Sequence, residues 1–237
     1  MAESRLNLKE IHKRYGDKTA LSPLSLDIAE GEFLSVFGAN GAGKSTLLKI
    51  ISQQTRPTSG KVFYEGNDVR KLGCEYRSKL GVISHQPFLY EGLSALANLT
   101  FYASLYGIKE PEKKAAKLLT RLEMKKRMHD PVRTYSRGML QRTSIARALI
   151  NDPEIIFLDE PYTGLDRHAS YMLTDLLKEQ ADKNCTVILV THDLSLGYEL
   201  ADKMLILSSG KAVFYGDKAE VAKESFENFY LGLMEEK

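Results

Sequence analysis

Nine consecutive residues, Gly38-Ala39-Asn40-Gly41-Ala42-Gly43-Lys44-Ser45-Thr46, fit the pattern G-x-x-x-x-G-K-[S/T]. The chemistry they suit is anion binding. Glycines let successive backbone N–H groups turn inward without Cβ clashes. A helix expected to open near Lys44 aims its unpaired N–H groups, and the positive end of its dipole, at the same place. Lys44 supplies charge for the β- and γ-phosphates, and the Ser45 hydroxyl suits a Mg²⁺ ligand. The apolar run "EFLSVFG" before the loop and the helical "LLKIIS" after it give the context that makes the pattern specific for a nucleoside triphosphate.

A second set of polar residues closes apolar runs. "IIFLDEP" ends in Asp159 and Glu160, which places two carboxylates at the edge of a buried strand, where ligands of open α/β sheets sit. Neighbouring strand residues point to opposite faces, so the two need not share a role. Asp159 suits a direct or indirect contact to Mg²⁺, and Glu160 suits general-base or water-positioning work. Gln86 closes "KLGVISHQ", where its amide suits Mg²⁺ or an attacking water, and His192 closes "CTVILVTH" within reach of a γ-phosphate. Asp166, in "TGLD", is grouped with these strand ends. His12, His85, His129 and His168 show no metal-ligand spacing, so no metal beyond Mg²⁺ is expected.

The stretch "YSRGMLQR" adds a Ser-Arg-Gly turn, Ser136-Arg137-Gly138, at the start of a helix. Such a turn binds anions but does no chemistry alone.

These residues need elements to hold them. "RLNLKEIHKRYG", "TALSPLSLDIAEGE", "KVFYEGNDV" and "KLGVISHQ" read as strands, with Gly16-Asp17 and Gly31 as punctuation. Residues 87–130 turn helical. "EIIFLDE" and "CTVILVTHD" are strands again, separated by a helix around "HASYMLTDLLKEQ", and "KMLILSSGKAVFYGD" is a hairpin turning at Ser209-Gly210. Strands alternating with helices predict an α/β fold with a largely parallel sheet. The chain is expected to form one domain over 1–237, with core segments 1–86 and 153–237 and a helical insertion over 87–152.

Composition narrows the function. With 33 Lys+Arg against 31 Asp+Glu, the formal charge of +2 argues against a nucleic-acid binder held mainly by electrostatics. Seven Lys/Arg between Lys113 and Arg127 against one Glu read as a solvated helix face. Two distant cysteines form no CxxC, which favours a reducing compartment. The N-terminus lacks the apolar core of a signal peptide. The longest charge-free run, residues 92–108, is too short and polar to span a bilayer.

The order of these motifs resembles that of the ATP-binding cassette (ABC) ATPases over nearly the whole chain. By that resemblance residues 38–46 are the Walker A loop, Gln86 the Q-loop residue, and Ser136-Arg137-Gly138 part of the signature. Asp159 is the Walker B aspartate, Glu160 the catalytic glutamate, Asp166 a D-loop residue and His192 the switch histidine. Tyr15 falls where the family stacks an aromatic ring on adenine. The implied fold is a P-loop ATPase core with an N-terminal antiparallel β subdomain and an inserted helical subdomain. The family's signature is Leu-Ser-Gly-Gly-Gln, whereas this chain reads Tyr135-Ser136-Arg137-Gly138-Met139. The hydrogen-bonding Ser and second Gly persist. Arg137 either adds charge near a phosphate or points to solvent, with solvent slightly favoured.

In this family the signature of one subunit closes over ATP held by another. The resemblance therefore implies a second ATP-binding subunit in a homodimer, a separate transmembrane subunit, and a place on the cytoplasmic face of the membrane. Leu89, Tyr90 and Leu93 lie where the family receives that subunit; packing inside the helical insertion explains them equally well. "SHQPFLYEGLSALANLTFYASLYG", "YSRGMLQR" and "DEPYTGLD" are similar to the haem-exporter ATP-binding subunit of cytochrome c maturation; drug, lipid and polysaccharide exporter cassettes share much of this pattern. A soluble ABC protein acting on nucleic acid normally carries two cassettes or a long coiled coil, and neither is present. A small-molecule phosphotransferase would leave Ser136, Gly138 and His192 without roles.

Overall fold

The computed structural model describes residues 4–84 and 86–235; His85, which the strand "KLGVISHQ" includes, lies outside them. The chain begins with β1 (Ser4–Tyr15), β2 (Lys18–Ala29), β3 (Phe33–Phe37), α1 (Lys44–Ile51), β4 (Ser59–Tyr64) and β5 (Asn67–Asp68). Next come α2 (Val69–Leu72), α3 (Cys74–Ser78), β6 (Leu80–Ile83), α4 (Ala95–Leu105), α5 (Pro111–Arg121) and α6 (Arg137–Leu149). It ends with β7 (Ile155–Asp159), α7 (Arg167–Ala181), β8 (Thr186–Val190), α8 (Leu194–Leu200), β9 (Lys203–Ser208), β10 (Lys211–Asp217) and α9 (Phe226–Glu235).

Strands β3, β7 and β8 are buried at every position. Unbroken apolar runs of this kind are what parallel strands covered on both faces require. They lie in a six-stranded sheet of order β10-β9-β3-β8-β7-β6, parallel except for the antiparallel β9–β10 pair. Because β8 sits between β3 and β7, the segments that leave these three strands emerge side by side at one edge.

A four-stranded antiparallel sheet, β2-β1-β4-β5, packs beside it. The buried faces of β1 (Leu6, Leu8, Ile11) and β2 (Leu21, Leu24, Leu26, Ile28) share a core with Leu47, Ile50 and Ile51 of α1 and with Val36, Ile188 and Val190 of the main sheet. Burial of each such side chain is worth about 1.5–3 kcal/mol, and here it wedges α1 between the two sheets. The sheets are also tied by charge. Buried Arg5 of β1 pairs with Glu30 and Glu65 at 2.5 Å and with Glu154, just before β7, at 2.9 Å.

Helices α4, α5 and α6 pack through Leu99, Ala103, Ala115, Leu119 and Ile145, in a cluster that continues onto Ile156 and Leu158 of β7. The basic segment that begins in α5 is partly neutralised: Lys113 pairs with Glu110, Lys114 with Asp152, Arg121 with Glu179 and Arg127 with Asp130.

The expected hairpin forms at Ser209-Gly210, where φ of 50° and 80° gives the double left-handed turn that suits twisted strands. A similar turn at Glu65-Gly66 (φ 46° and 77°) splits "KVFYEGNDV", expected as one strand, into β4 and β5. Helices α2, α3, α8 and α9 are not among the elements expected from the sequence. The last packs Phe226 edge-on to Phe37 of β3 at 5.1 Å.

Candidate nucleotide site

The loop between β3 and α1 is shaped by close approach. At Gly38 (φ 146°) a Cβ would lie 2.3 Å from the Leu207 carbonyl oxygen, and at Gly43 (φ 106°) 2.6 Å from that of Ala20. Only glycine fits either place. Gly43 also precedes α1 without a side-chain cap, and the first turn of α1 carries no acidic residue. Elsewhere Ser94, Ser136, Asp166 and Asp193 cap α4, α6, α7 and α8. The first amides of α1 therefore keep their capacity for an external acceptor.

Lys44, 8% exposed, folds back and donates to the carbonyl oxygens of Gly38 at 2.5 Å and Ala39 at 3.0 Å. Burial lowers its pKa, while Glu160 and Asp159 pull it back up. The ammonium is thus held in the loop by weak neutral acceptors that an anionic oxygen outcompetes.

Asn40, Gly41, Ala42, Gly43, Lys44, Ser45 and Thr46 border one cleft together with Tyr15, Asp159 and Glu160. The half-exposed Tyr15 ring carries Lys13 Nζ 4.8 Å from its centroid. Lys18 and Ala20 complete that wall and were missed by the sequence reading. "YGDK" signalled a turn, but nothing in it said that β1–β2 would lie over the glycine loop.

Asp159 ends β7 and is 9% exposed. Glu160 is not on the strand: its φ is 53°, and its N–H donates to the Val190 carbonyl at 3.0 Å. A left-handed glutamate of this kind costs of order 1–3 kcal/mol, and the consequence here is geometric. The expected split of the two carboxylates onto opposite faces does not occur, and both line the same cleft. Glu160 Oε2 lies 2.7 Å from Nδ1 of His192, whose side chain is otherwise 76% exposed. Gln86 lies beyond the end of β6, not on it, and borders a neighbouring cavity with Ser45 and Asp159.

The signature turn is elsewhere. Ser136 caps α6 by accepting from the Met139 N–H at 3.3 Å, and Tyr135 anchors the turn by donating its hydroxyl to the Arg127 carbonyl at 2.7 Å. Neither Ser136 nor Gly138 borders the nucleotide cleft. Arg137 is exposed, as the slightly favoured reading has it, but its stem is not free. A Cβ added to Gly164 would come within 2.7 Å of its Cδ, so its stem covers Gly164, and it borders a cavity with Asp159, Glu160 and Thr163. Asp166, grouped by sequence with the strand ends, is instead the cap of α7. Its Oδ1 accepts from the Ala169 N–H at 2.8 Å, and Oδ2 lies 3.8 Å from Arg142 of α6. Gln141, another residue the sequence reading missed, donates from α6 to the Pro161 carbonyl at 2.7 Å.

A buried lysine on a glycine loop, two carboxylates at the same edge and a histidine on the second of them define a nucleoside-triphosphate-hydrolysing class of site. Residues 21–163 match the family model described as ABC transporter. The chain is 34% identical over 227 residues to the daunorubicin resistance ATP-binding protein DrrA3 of Streptomyces coeruleorubidus, covering 95% of this chain and 72% of that one. It is 31% identical over 226 residues to the Nod factor export ATP-binding protein I of Rhizobium etli, covering 94% and 72%. Among solved structures, a dimeric ATP-binding cassette in a post-hydrolysis state bound to ADP and Pi superposes with a TM-score of 0.83 at 30% identity, covering 90% of this chain and 98% of that one. The chain belongs to the ABC transporter family and is an ATPase.

Proposed function

We propose that this chain is the ATP-hydrolysing subunit of an exporter, working as a pair of identical cassettes beneath a separate transmembrane subunit. The observation that carries the reading is the separation of Ser136 and Gly138 from the cleft that holds Lys44. Each chain then supplies one half of a site and takes the other half from its partner.

In this reading the amides of residues 41–46 and the Lys44 ammonium grip the phosphates, and Tyr15 supports the adenine. Ser45, Asp159 and Gln86 are hard oxygen donors around one cavity, as Mg²⁺ prefers. Among the described residues no three His, Cys, Asp or Glu side chains cluster as a metal cage, which fits an ion completed by phosphate oxygens. When bound, Mg²⁺ offsets phosphate charge. Glu160 orients a water and accepts its proton, and His192 holds the Glu160 carboxylate in place through the 2.7 Å contact. Ser136 Oγ and the Gly138 N–H of the partner grip the γ-phosphate at the start of α6. Asp166 holds the adjacent turn.

No helix among the described residues is long and apolar enough to cross a membrane. Exposed Phe88, Tyr90, Leu93, Phe101 and Leu105 form an aromatic and aliphatic patch on α4 and the segment before it, with Tyr90 edge-on to Phe101 at 5.4 Å. Apolar surface of that kind suits a docked transmembrane subunit, with the cassette peripheral on the cytoplasmic side; no nucleic acid is involved. For the cargo, residues 84–107, 135–142 and 159–166 resemble a haem-exporter subunit, while daunorubicin resistance and Nod factor export among the relatives favour another exporter.

The test is gel filtration of Glu160→Gln with and without ATP, alongside phosphate release. The reading expects an ATP-dependent dimer that does not turn over. A monomer at saturating ATP sinks it.

A further inference from the structure

Away from the nucleotide cleft, a second cavity opens between the end of α1, strand β4 and the α2–α3 turn. Arg56, Lys61, Arg70 and Arg77 line it, and no carboxylate does. They come from the loop after α1, from β4, from α2 and from α3, so the fold gathers them; no basic run in the sequence announces them. Arg70 has a partner in Asp68 at 3.3 Å, whereas Arg56, Lys61 and Arg77 make no ion pair among the described residues. The other cation-rich cavity, between α5 and α7, differs in that carboxylates line it: Lys113 pairs with Glu110, Lys114 with Asp152, and Arg121 and Lys183 share Glu179.

Three unpaired cations facing one concavity repel one another and create a positive field that a fixed anion relieves. Arg77 is also pre-positioned, donating to Gln53 Oε1 at 3.4 Å and lying 3.0 Å from Cys74 Sγ, while Gln53 is itself tethered to the Val69 carbonyl. Beneath the cations the wall is apolar, with Ile50, Val62 and Val69 only 2–3% exposed. Guanidinium groups above an apolar floor match a phosphate group carried on a ring or a short apolar body. We propose that this cavity binds a phosphate-bearing ligand, separate from the nucleotide held by the glycine loop. The ligand is either a soluble phosphate ester or the headgroup of an anionic phospholipid.

The experiment uses the full chain with its glycine loop saturated by ADP. Pyrophosphate is titrated by calorimetry, and vesicles of phosphatidylglycerol or of phosphatidylcholine are compared by flotation. Arg56→Gln/Arg77→Gln removes the grip, and Lys113→Gln/Lys117→Gln makes the same charge change elsewhere. All four replaced residues are exposed, so melting curves and basal ATP hydrolysis stay as in the parent chain. Pyrophosphate binding weakened about tenfold or more by the first pair and not by the second assigns a soluble ester. Flotation with phosphatidylglycerol alone, lost in the first pair only, assigns the lipid headgroup. If neither probe binds, or both pairs lose binding equally, the proposal is wrong.

Discussion

Two helix-opening turns of this molecule contrast. The loop before α1 is enclosed by two sheets, has Lys44 buried within it and two carboxylates at its mouth, and leaves the first amides of α1 without a side-chain cap. The turn before α6 is exposed, its amides are partly answered by Ser136 itself, and it has no lysine beside it. In the proposed reading the first receives the phosphates of a nucleotide and the second closes over a nucleotide held by another chain. Burial makes the first rigid and selective, and exposure leaves the second free to meet another molecule.

Four experiments sharpen or break that contrast. Glu160→Gln has the largest effect: hydrolysis falls on the order of 10²- to 10⁴-fold while ATP still binds, read by phosphate release against equilibrium binding. A rate near that of the parent chain moves the base elsewhere. Substitutions at Ser136 come next. Ser136→Asp keeps the helix cap but sets a negative charge against a phosphate, so melting is nearly unchanged while ATP-driven dimerisation is lost. Ser136→Ala instead removes the cap at about 1 kcal/mol and weakens dimerisation less. Loss of melting temperature without loss of the dimer in Ser136→Asp would make the turn purely structural.

The third uses pH. Burial lowers the Lys44 pKa, so in the window between that depressed value and the ordinary lysine value of about 10.4 the unfolded chain holds a proton that the folded one has released. Stability of the nucleotide-free chain therefore rises with pH across the window. ATP affinity, which needs the charge, falls over the same range. Nucleotide titrations from about pH 8 to 10 check the sign, and Lys44→Arg, charged throughout, flattens the profile. The smallest effect lies between α5 and α7. Arg121 and Lys183 hold the Glu179 carboxyl down to about 2. Glu179→Gln therefore costs at most about 1 kcal/mol at neutral pH, because the pairs are exposed. The difference is fully present above the ordinary carboxylate range and closes as pH falls toward about 2, as thermal melts along that series will record.

Local signals made the first turn legible and only half of the second. The glycine spacing, the buried run before it and the helix after it occupy one stretch, and each obeys a short-range rule. The Ser209-Gly210 hairpin and the strand ending in Asp159 were readable for the same reason. What sequence order does not carry is who meets whom. The contact of Arg137 with Gly164, the bond from Gln141 to Pro161 and the gathering of Arg5 with Glu30, Glu65 and Glu154 all depend on chain paths many residues apart. The left-handed turn at Glu160 was hidden for another reason. Strand alternation is the default after an apolar run, and a carboxylate at positive φ overrides it only because the surrounding strands hold it there. Helix α8 was missed because, at seven residues, it spans only about two turns, too few for a period to emerge.

Ser136 caps helix α6, which carries Arg147 three turns further on. That guanidinium donates to the Val82 carbonyl at 2.5 Å and lies 5.5 Å and 5.6 Å from the Phe88 and Tyr102 ring centroids. The hydrogen bond fixes the direction of this cation between the two rings, and with Ile145, Ala146, Ala148 and Leu149 buried beside it this end of the helix is anchored in the core. The arm from this anchor to the tip is about 16 Å long. A tilt of about 10° about that anchor would carry Ser136 some 3 Å sideways, roughly the length of one hydrogen bond. Leverage of that size would let a slight tilt of the helix make or break a hydrogen bond at its tip.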